Sequence, residues 1–177
     1  MAKTRQINGN TLLSQAVSSL RQGKLRQTIT ILRKAPTKHG QNALVHYNLG
    51  LAYEAAKRYR HAMESYQRAL SLDPTLLDAA VCQGYIFGLK GNFRKELNRY
   101  NEVLRRDPTH STALYNKAVV LDDALGNPRS AIPFYLKVLK QPLSNSRKRA
   151  VLVRLAYCYL DTQQYNKAQH MLKQLAT

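Results

Sequence analysis

A period constrains this 177-residue chain more than any other feature. The segment from Ala43 reads ALVHYNLGLAYEAAKRYRHAMESYQRALSLDPTL, and the one from Leu77 reads LDAAVCQGYIFGLKGNFRKELNRYNEVLRRDPTH. Gly50 and Gly84, Tyr53 and Phe87, Tyr59 and Phe93, Tyr66 and Tyr100, and the pairs Asp73-Pro74 and Asp107-Pro108 are each 34 residues apart. A period of this size means that one supersecondary unit is repeated, and that each copy needs its neighbours to bury its apolar face. Apolar residues within a copy fall at helical spacing, with no competing strand alternation. Small residues at Gly50, Ala62 and Ala69 let two antiparallel helices approach closely, while Tyr53 and Tyr66 fill the space between them. Pro74 and Pro108 follow the last helical turn, where no continuing hydrogen bond is lost.

This pattern closely resembles the tetratricopeptide repeat, whose marks here are Leu49, Gly50, Tyr53, Tyr59, Ala62, Tyr66, Ala69 and Pro74. The resemblance implies an all-α fold, a right-handed α-solenoid of about five stacked helix-turn-helix units. First helices would line the concave surface and second helices most of the convex one.

Weaker copies extend the pattern to both sides. The expected units are approximately 9–42, 43–76, 77–110, 111–148 and 149–177, forming one domain behind a polar tail of residues 1–8. In the first unit Thr28 takes an alanine position and Pro36 ends the second helix early. Ala131 lies 35 residues after Glu96, which predicts one extra residue in the turn around Gly126-Asn127-Pro128. Ala156 lies 38 residues after Ala118, which places an insertion around Gln141–Ser146. With Ser130 as N-cap, Pro133 would sit in a first turn, where amide donors have no intrahelical partner; otherwise the helix is kinked. The fifth pair runs to the last residues without a polar capping helix, so an exposed apolar end open to a partner or to self-association is expected.

Composition removes several classes. Hydrophobic content of 44% argues against disorder, and two cysteines, Cys82 and Cys158, cannot staple a secreted scaffold and read as small apolar fillers. The N-terminus has no apolar run after its charges, and no stretch suits a membrane span, so a soluble cytoplasmic protein is expected. Against 28 Lys and Arg stand 10 Asp and Glu, a formal charge of +18. The partners that match such a charge are an acidic protein, nucleic acid or an anionic membrane.

Helical geometry assigns the groove-facing positions. They are Tyr47, Asn48, Leu51, Tyr85, Tyr115, Asn116, Val119, Val153 and Tyr157. Rings offer area at low entropic cost and amides can pair with a main chain, a combination suited to a peptide or helix. Glu54, Asp78, Asp122, Asp123 and Asp161 form an acidic rim favouring a ligand with Lys or Arg beside apolar anchors. The heat-shock co-chaperones of the resembled family hold a C-terminal carboxylate with a basic clamp. The corresponding positions here are Leu13, Tyr47, Val81 and Tyr115, so that clamp is absent, and Arg154 alone does not rebuild it. Lys117 fills a normally apolar slot and is expected to snorkel to solvent.

Arg58, Arg60, Arg68, Arg94, Lys95, Arg99, Arg105, Arg106, Arg147, Lys148 and Arg149 are assigned to a basic convex surface. No metal-ligand spacing, phosphate loop or nucleophile elbow occurs, so neither enzyme nor cofactor is expected. The sequence therefore points to a non-catalytic interaction scaffold or adaptor, with a secretion or assembly chaperone as its specific form. The alternative is a nucleic-acid-associated repeat protein that binds phosphates through the convex face.

Overall fold

The computed structural model describes residues 9–34 and 42–175. These residues form ten α-helices and one π-helical turn, with no strand among them. The helices come in consecutive pairs: α1 (Gly9–Arg21) with α2 (Leu25–Arg33), α3 (Ala43–Ala55) with α4 (Tyr59–Leu72), and α5 (Leu77–Leu89) with α6 (Phe93–Arg106). Next come α7 (Ser111–Val119), continued by the π-turn Val120–Ala124, with α8 (Pro128–Leu139), and then α9 (Asn145–Asp161) with α10 (Tyr165–Lys173). The architecture is of the all-α, helix-turn-helix solenoid class. The expected tail of residues 1–8 and Pro36 lie outside the described residues.

One backbone device closes every first helix. Gly23, Lys57, Gly91, Gly126 and Gln163 all have positive φ, between 57° and 71°, and each second helix starts two residues later. The left-handed residue lets the next amide turn back onto an orphan carbonyl at the helix end. Thus Lys24 N–H bonds Ser19 C=O, Arg58 bonds Tyr53, Asn92 bonds Phe87 and Gln164 bonds Tyr159, at 2.8–2.9 Å. In the fourth pair the same bond runs from Asn127 to Leu121, one residue further back. The extra residue therefore resides in the π-turn, not in the turn at Gly126-Asn127-Pro128, because a wider helical turn absorbs it without disturbing the turn geometry.

The N-cap of α8 is Asn127, whose side chain accepts from Ser130 N–H; Ser130 is not the cap. Pro133 consequently lies inside the helix instead of in its first turn. Besides the π-turn residue, three extra residues precede the last pair: α9 starts four residues early and the loop ending at Ser144 is one residue longer, while α8 is two residues shorter than α4 and α6. Ala156 is the twelfth residue of α9, whereas Gly50 is the eighth of α3, so α9 has gained one full N-terminal turn.

The chain divides into two compact units at Ile86/Phe87, inside α5. In the first unit Ala52, Tyr53, Ala62, Tyr66, Ala69, Ala79 and Ile86 form the main buried cluster, and Ala16, Leu32 and Val45 a smaller one. Gly50 is there for space, since a methyl at this position would overlap the fully buried Tyr66 ring. In the second unit Leu114, Ala118, Ala131, Tyr135, Val138, Val151, Leu155, Cys158 and Ala168 are the core. Small residues of one helix face aromatic residues of its partner in both, as the spacing predicts.

Candidate interaction site on the first helices

In the first unit, Tyr47 is half-buried with its ring 6.0 Å from Tyr66, and Leu51 flanks the same core. The Asn48 amide donates to Leu44 C=O at 2.8 Å, on its own helix. Tyr85 stands out at 44% exposed. In the second unit Tyr115 and Val119 flank the core, the Tyr115 ring lying 6.0 Å from that of Tyr135. Asn116 is half-buried, Val153 is exposed, and Tyr157 is 62% exposed. Leu51, Tyr85, Val119 and Tyr157 share one position, the residue after the small one at 50, 84, 118 and 156. The more fully available rings of the expected face are thus Tyr85 and Tyr157, while Tyr47 and Tyr115 also serve the core.

The acidic positions have been put to several uses. The Tyr66 hydroxyl donates to Glu54 Oε2 at 2.8 Å, drawing this carboxylate inward, and burial raises its pKa. Beside it sits the Cys82 thiol, pushed up to about 12 by burial and the Glu54 charge. Such a thiol is protonated at neutral pH and unreactive, in keeping with a filler. Asp123 accepts from Arg154 Nη1 with both oxygens, at 2.7 and 2.8 Å, and Asp122 Oδ2 lies 3.8 Å from the same nitrogen. Burial raises the Asp122 pKa. Asp78 and Asp161 are exposed.

A second buried carboxylate was not singled out from sequence. Glu96, 5% exposed, accepts from the Tyr100 hydroxyl at 2.9 Å and fills the space left by Gly88, where a methyl would fall on its carboxylate. Its signal was present: at the 34-residue offset Glu96 replaces Ala62, and Gly88 replaces Glu54. The carboxylate that meets the core tyrosine has moved from first helix to second. In the next pair Tyr135, fully buried, has no hydrogen-bond partner for its hydroxyl among the described residues.

The basic assignments also divide. Arg58, Arg60, Arg68, Arg94, Lys95, Arg105, Arg106, Lys148 and Arg149 are exposed. Arg60 pairs with Glu64, Arg99 with Glu102, and Lys95 lies 5.6 Å from the Phe87 ring centroid. Arg147 departs from the convex assignment, because its guanidinium is 5.5 Å from the Tyr115 ring centroid. It is carried there by the extra turn of α9. Lys117 is not simply extended into solvent: its ammonium bonds Asn101 Oδ1 at 2.6 Å and lies 4.2 Å from the Phe134 centroid. Lys148 and Arg149 border a cavity of about 250 Å³ with Asn145, Leu152, Gln174 and Leu175. No helix among the described residues is long and apolar enough to cross a membrane.

Comparison with known proteins completes the picture. Residues 43–76 and 111–177, together more than half of the chain, match the tetratricopeptide repeat family. The photosystem I assembly protein Ycf3 of Acaryochloris marina is 30% identical over 95 residues, covering 51% of this chain and 57% of that protein. A Cyanophora paradoxa protein called ycf37 is also 30% identical over 95 residues, covering 54% and 55% respectively. The chain therefore spans little more than half the length of these relatives. Among solved structures, Pseudomonas aeruginosa pilF superposes with a TM-score of 0.82 at 19% identity, covering 95% of this chain and 75% of that one. A MamA crystal structure gives 0.72 at 16% identity, covering 94% and 89%. These structural likenesses bear on the fold alone. With its repeat spacing, its helix pairs and both family matches in agreement, the chain belongs to the tetratricopeptide repeat family.

Proposed function

We propose that this chain is a non-catalytic adaptor that captures a peptide or helix of a protein partner on the exposed face of its first helices. Tetratricopeptide repeats are protein-interaction scaffolds. The observation that carries the reading is the exposure of Tyr85, a large ring standing at a position whose counterparts at Leu51 and Val119 are apolar. A half-exposed ring of this kind offers a partner a large contact area with little rotamer entropy to lose. Of the finer readings, an assembly or a secretion chaperone, the first draws support from the similarity to a photosystem I assembly protein. Exposed Asp78 favours a ligand with a basic residue beside its apolar anchor.

The test is capture of partners by the intact chain and by Tyr85→Ala, with helical signal and Tm as the fold control. Tyr85→Ala should lose the captured partner while unfolding at the same temperature. Identical partner sets for the two proteins count against recognition at this face.

A further inference from the structure

Arginine and asparagine line one face of α6. Arg94, Asn98, Asn101 and Arg105 are all exposed, and at 100° per residue they fall within an arc of about 60°. The two arginines stand about 16 Å apart along the helix axis, at 1.5 Å per residue. At Asn101 this row meets a further cation. The Lys117 ammonium, from α7, donates to Asn101 Oδ1 at 2.6 Å and lies 4.2 Å from the ring centroid of Phe134 in α8. The ammonium of exposed Lys137, also in α8, is 6.0 Å from the same centroid. One lysine thus spans the furrow between the second helices α6 and α8, and another stands on its α8 wall.

Two ammonium groups share one ring, and no carboxylate among the described residues pairs with either. Glu102 is taken by Arg99, Asp122 and Asp123 by Arg154, and Glu96 is buried against Tyr100. Burial and the Lys137 charge lower the Lys117 pKa, so the pair is held together against its own repulsion. The face of the Phe134 ring offsets part of that repulsion, and an anion seated in the furrow offsets more.

The chemistry of the row selects among anions. A protein partner is held chiefly by apolar and aromatic anchors, and a membrane surface takes up an apolar helix face. The α6 row has no apolar member; it offers only N–H donors and amide oxygens, spread along a line. A nucleic-acid strand is the anion that such a line holds by charge alone, one phosphate after another. Lys117 is half-buried, so its ammonium is met by a single flexible strand that can enter between the helices.

We propose that the furrow between α6 and α8 is a track for a single strand of nucleic acid, with Lys117 and Lys137 engaging phosphates beside Phe134 and with Arg94 and Arg105 engaging others along α6. Binding is indifferent to base sequence, because phosphates alone are read. It is also independent of ligand capture at Tyr85, which lies outside the track.

Fluorescence anisotropy of a labelled single-stranded oligothymidylate of about 16 nucleotides, titrated with the full chain, tests this. The dissociation constant should be about 1–10 µM at about 50 mM salt and rise roughly fiftyfold by about 200 mM, the slope that four phosphate contacts give. Lys137→Glu, and separately Arg94→Ala with Arg105→Ala, should each weaken binding about tenfold, the arginine pair with a shallower salt slope. Lys167→Ala with Lys173→Ala removes the same charge from α10 and should change the affinity less than about twofold. Helical signal and Tm report that each variant is folded. Polyglutamate and anionic phospholipid vesicles should bind at least about tenfold more weakly than the strand, and Tyr85→Ala should bind the strand as the wild type does. The track is ruled out if the wild type fails to bind at low salt or if both furrow variants bind as tightly as the wild type. An α10 exchange as damaging as those in the furrow, or polyglutamate or vesicles bound as tightly as the strand, equally overturns it. Loss of strand binding in Tyr85→Ala does so as well, whereas loss of protein capture alone leaves the track standing.

Discussion

At the scale of single residues, two features have energetic consequences. The first is the left-handed residue in each inter-helix turn, which is glycine at 23, 91 and 126 but lysine at 57 and glutamine at 163. A side chain in this conformation is strained, and glycine would relieve that strain at the expense of unfolded-state entropy. Lys57→Gly and Gln163→Gly should each raise stability by about 0.5–1 kcal/mol, read as a higher midpoint in urea. The second is the buried carboxylate of Glu96. Burial raises its pKa, with the Tyr100 hydroxyl opposing in part. The folded state therefore binds a proton more readily than the unfolded one, so stability is lost as pH rises from the ordinary carboxylate range through the raised folded value. Glu96→Gln keeps an acceptor for Tyr100 and should flatten that fall while leaving the protein at least as stable at neutral pH. If its pH profile overlays that of the wild type, Glu96 carries no such linkage. Part of this was legible beforehand: glutamate in the column of Ala62 and glycine in the column of Glu54 can be read from the period. That Glu96 would turn into the space of Gly88 could not, because a glutamate there could equally have bent outward to water.

At the scale of elements, the repeat tolerates insertions by lengthening or widening helices. The single extra residue of the fourth pair widens α7 into a π-turn, a common way for an α-helix to accommodate one residue. Four residues give α9 a further complete turn and bring Arg147 over Tyr115. Spacing announced both insertions, but it could not distinguish a residue added within a helix from one added in the following turn, since both lengthen the interval equally. α8 contains the clearest local conflict. Pro133, exposed and six residues into the helix, has no N–H to offer the carbonyl of Arg129. Pro133→Ala supplies that donor and removes the ring clash, so it should stabilise the chain by about 2 kcal/mol after allowance for unfolded-state entropy. Thermal unfolding checks this, and an unchanged or lower Tm would mean that the helix has already adapted to the proline.

At the scale of the whole molecule, the charge of +18 dominates behaviour in solution. Exposed pairs such as Arg60 with Glu64 offset little of it, because two mobile side chains in water gain little by pairing. Self-repulsion therefore favours the expanded chain at low ionic strength. Raising salt from about 20 to 200 mM shortens the screening length severalfold and should increase Tm by on the order of a few degrees. A Tm that falls with salt would show instead that attractive pairs, such as Arg154 with Asp123, outweigh the repulsion. The same excess charge is not confined to one kind of surface, as Arg147 over Tyr115 and Lys117 over Phe134 demonstrate.

The sequence by itself determined the pairing of helices, their approximate limits, the small residues at Gly50, Ala62 and Ala118, and the tyrosines packed against them. Those are consequences of helical spacing and of a period, both written locally in the chain. Only the tertiary structure decided which charged groups were drawn inward and by what. Glu54 meets Tyr66 across 12 residues and Asp123 meets Arg154 across 31. Partners that far apart are set by how helices pack and by where the inserted residues go, and a single residue moved from a turn into a helix is enough to change them.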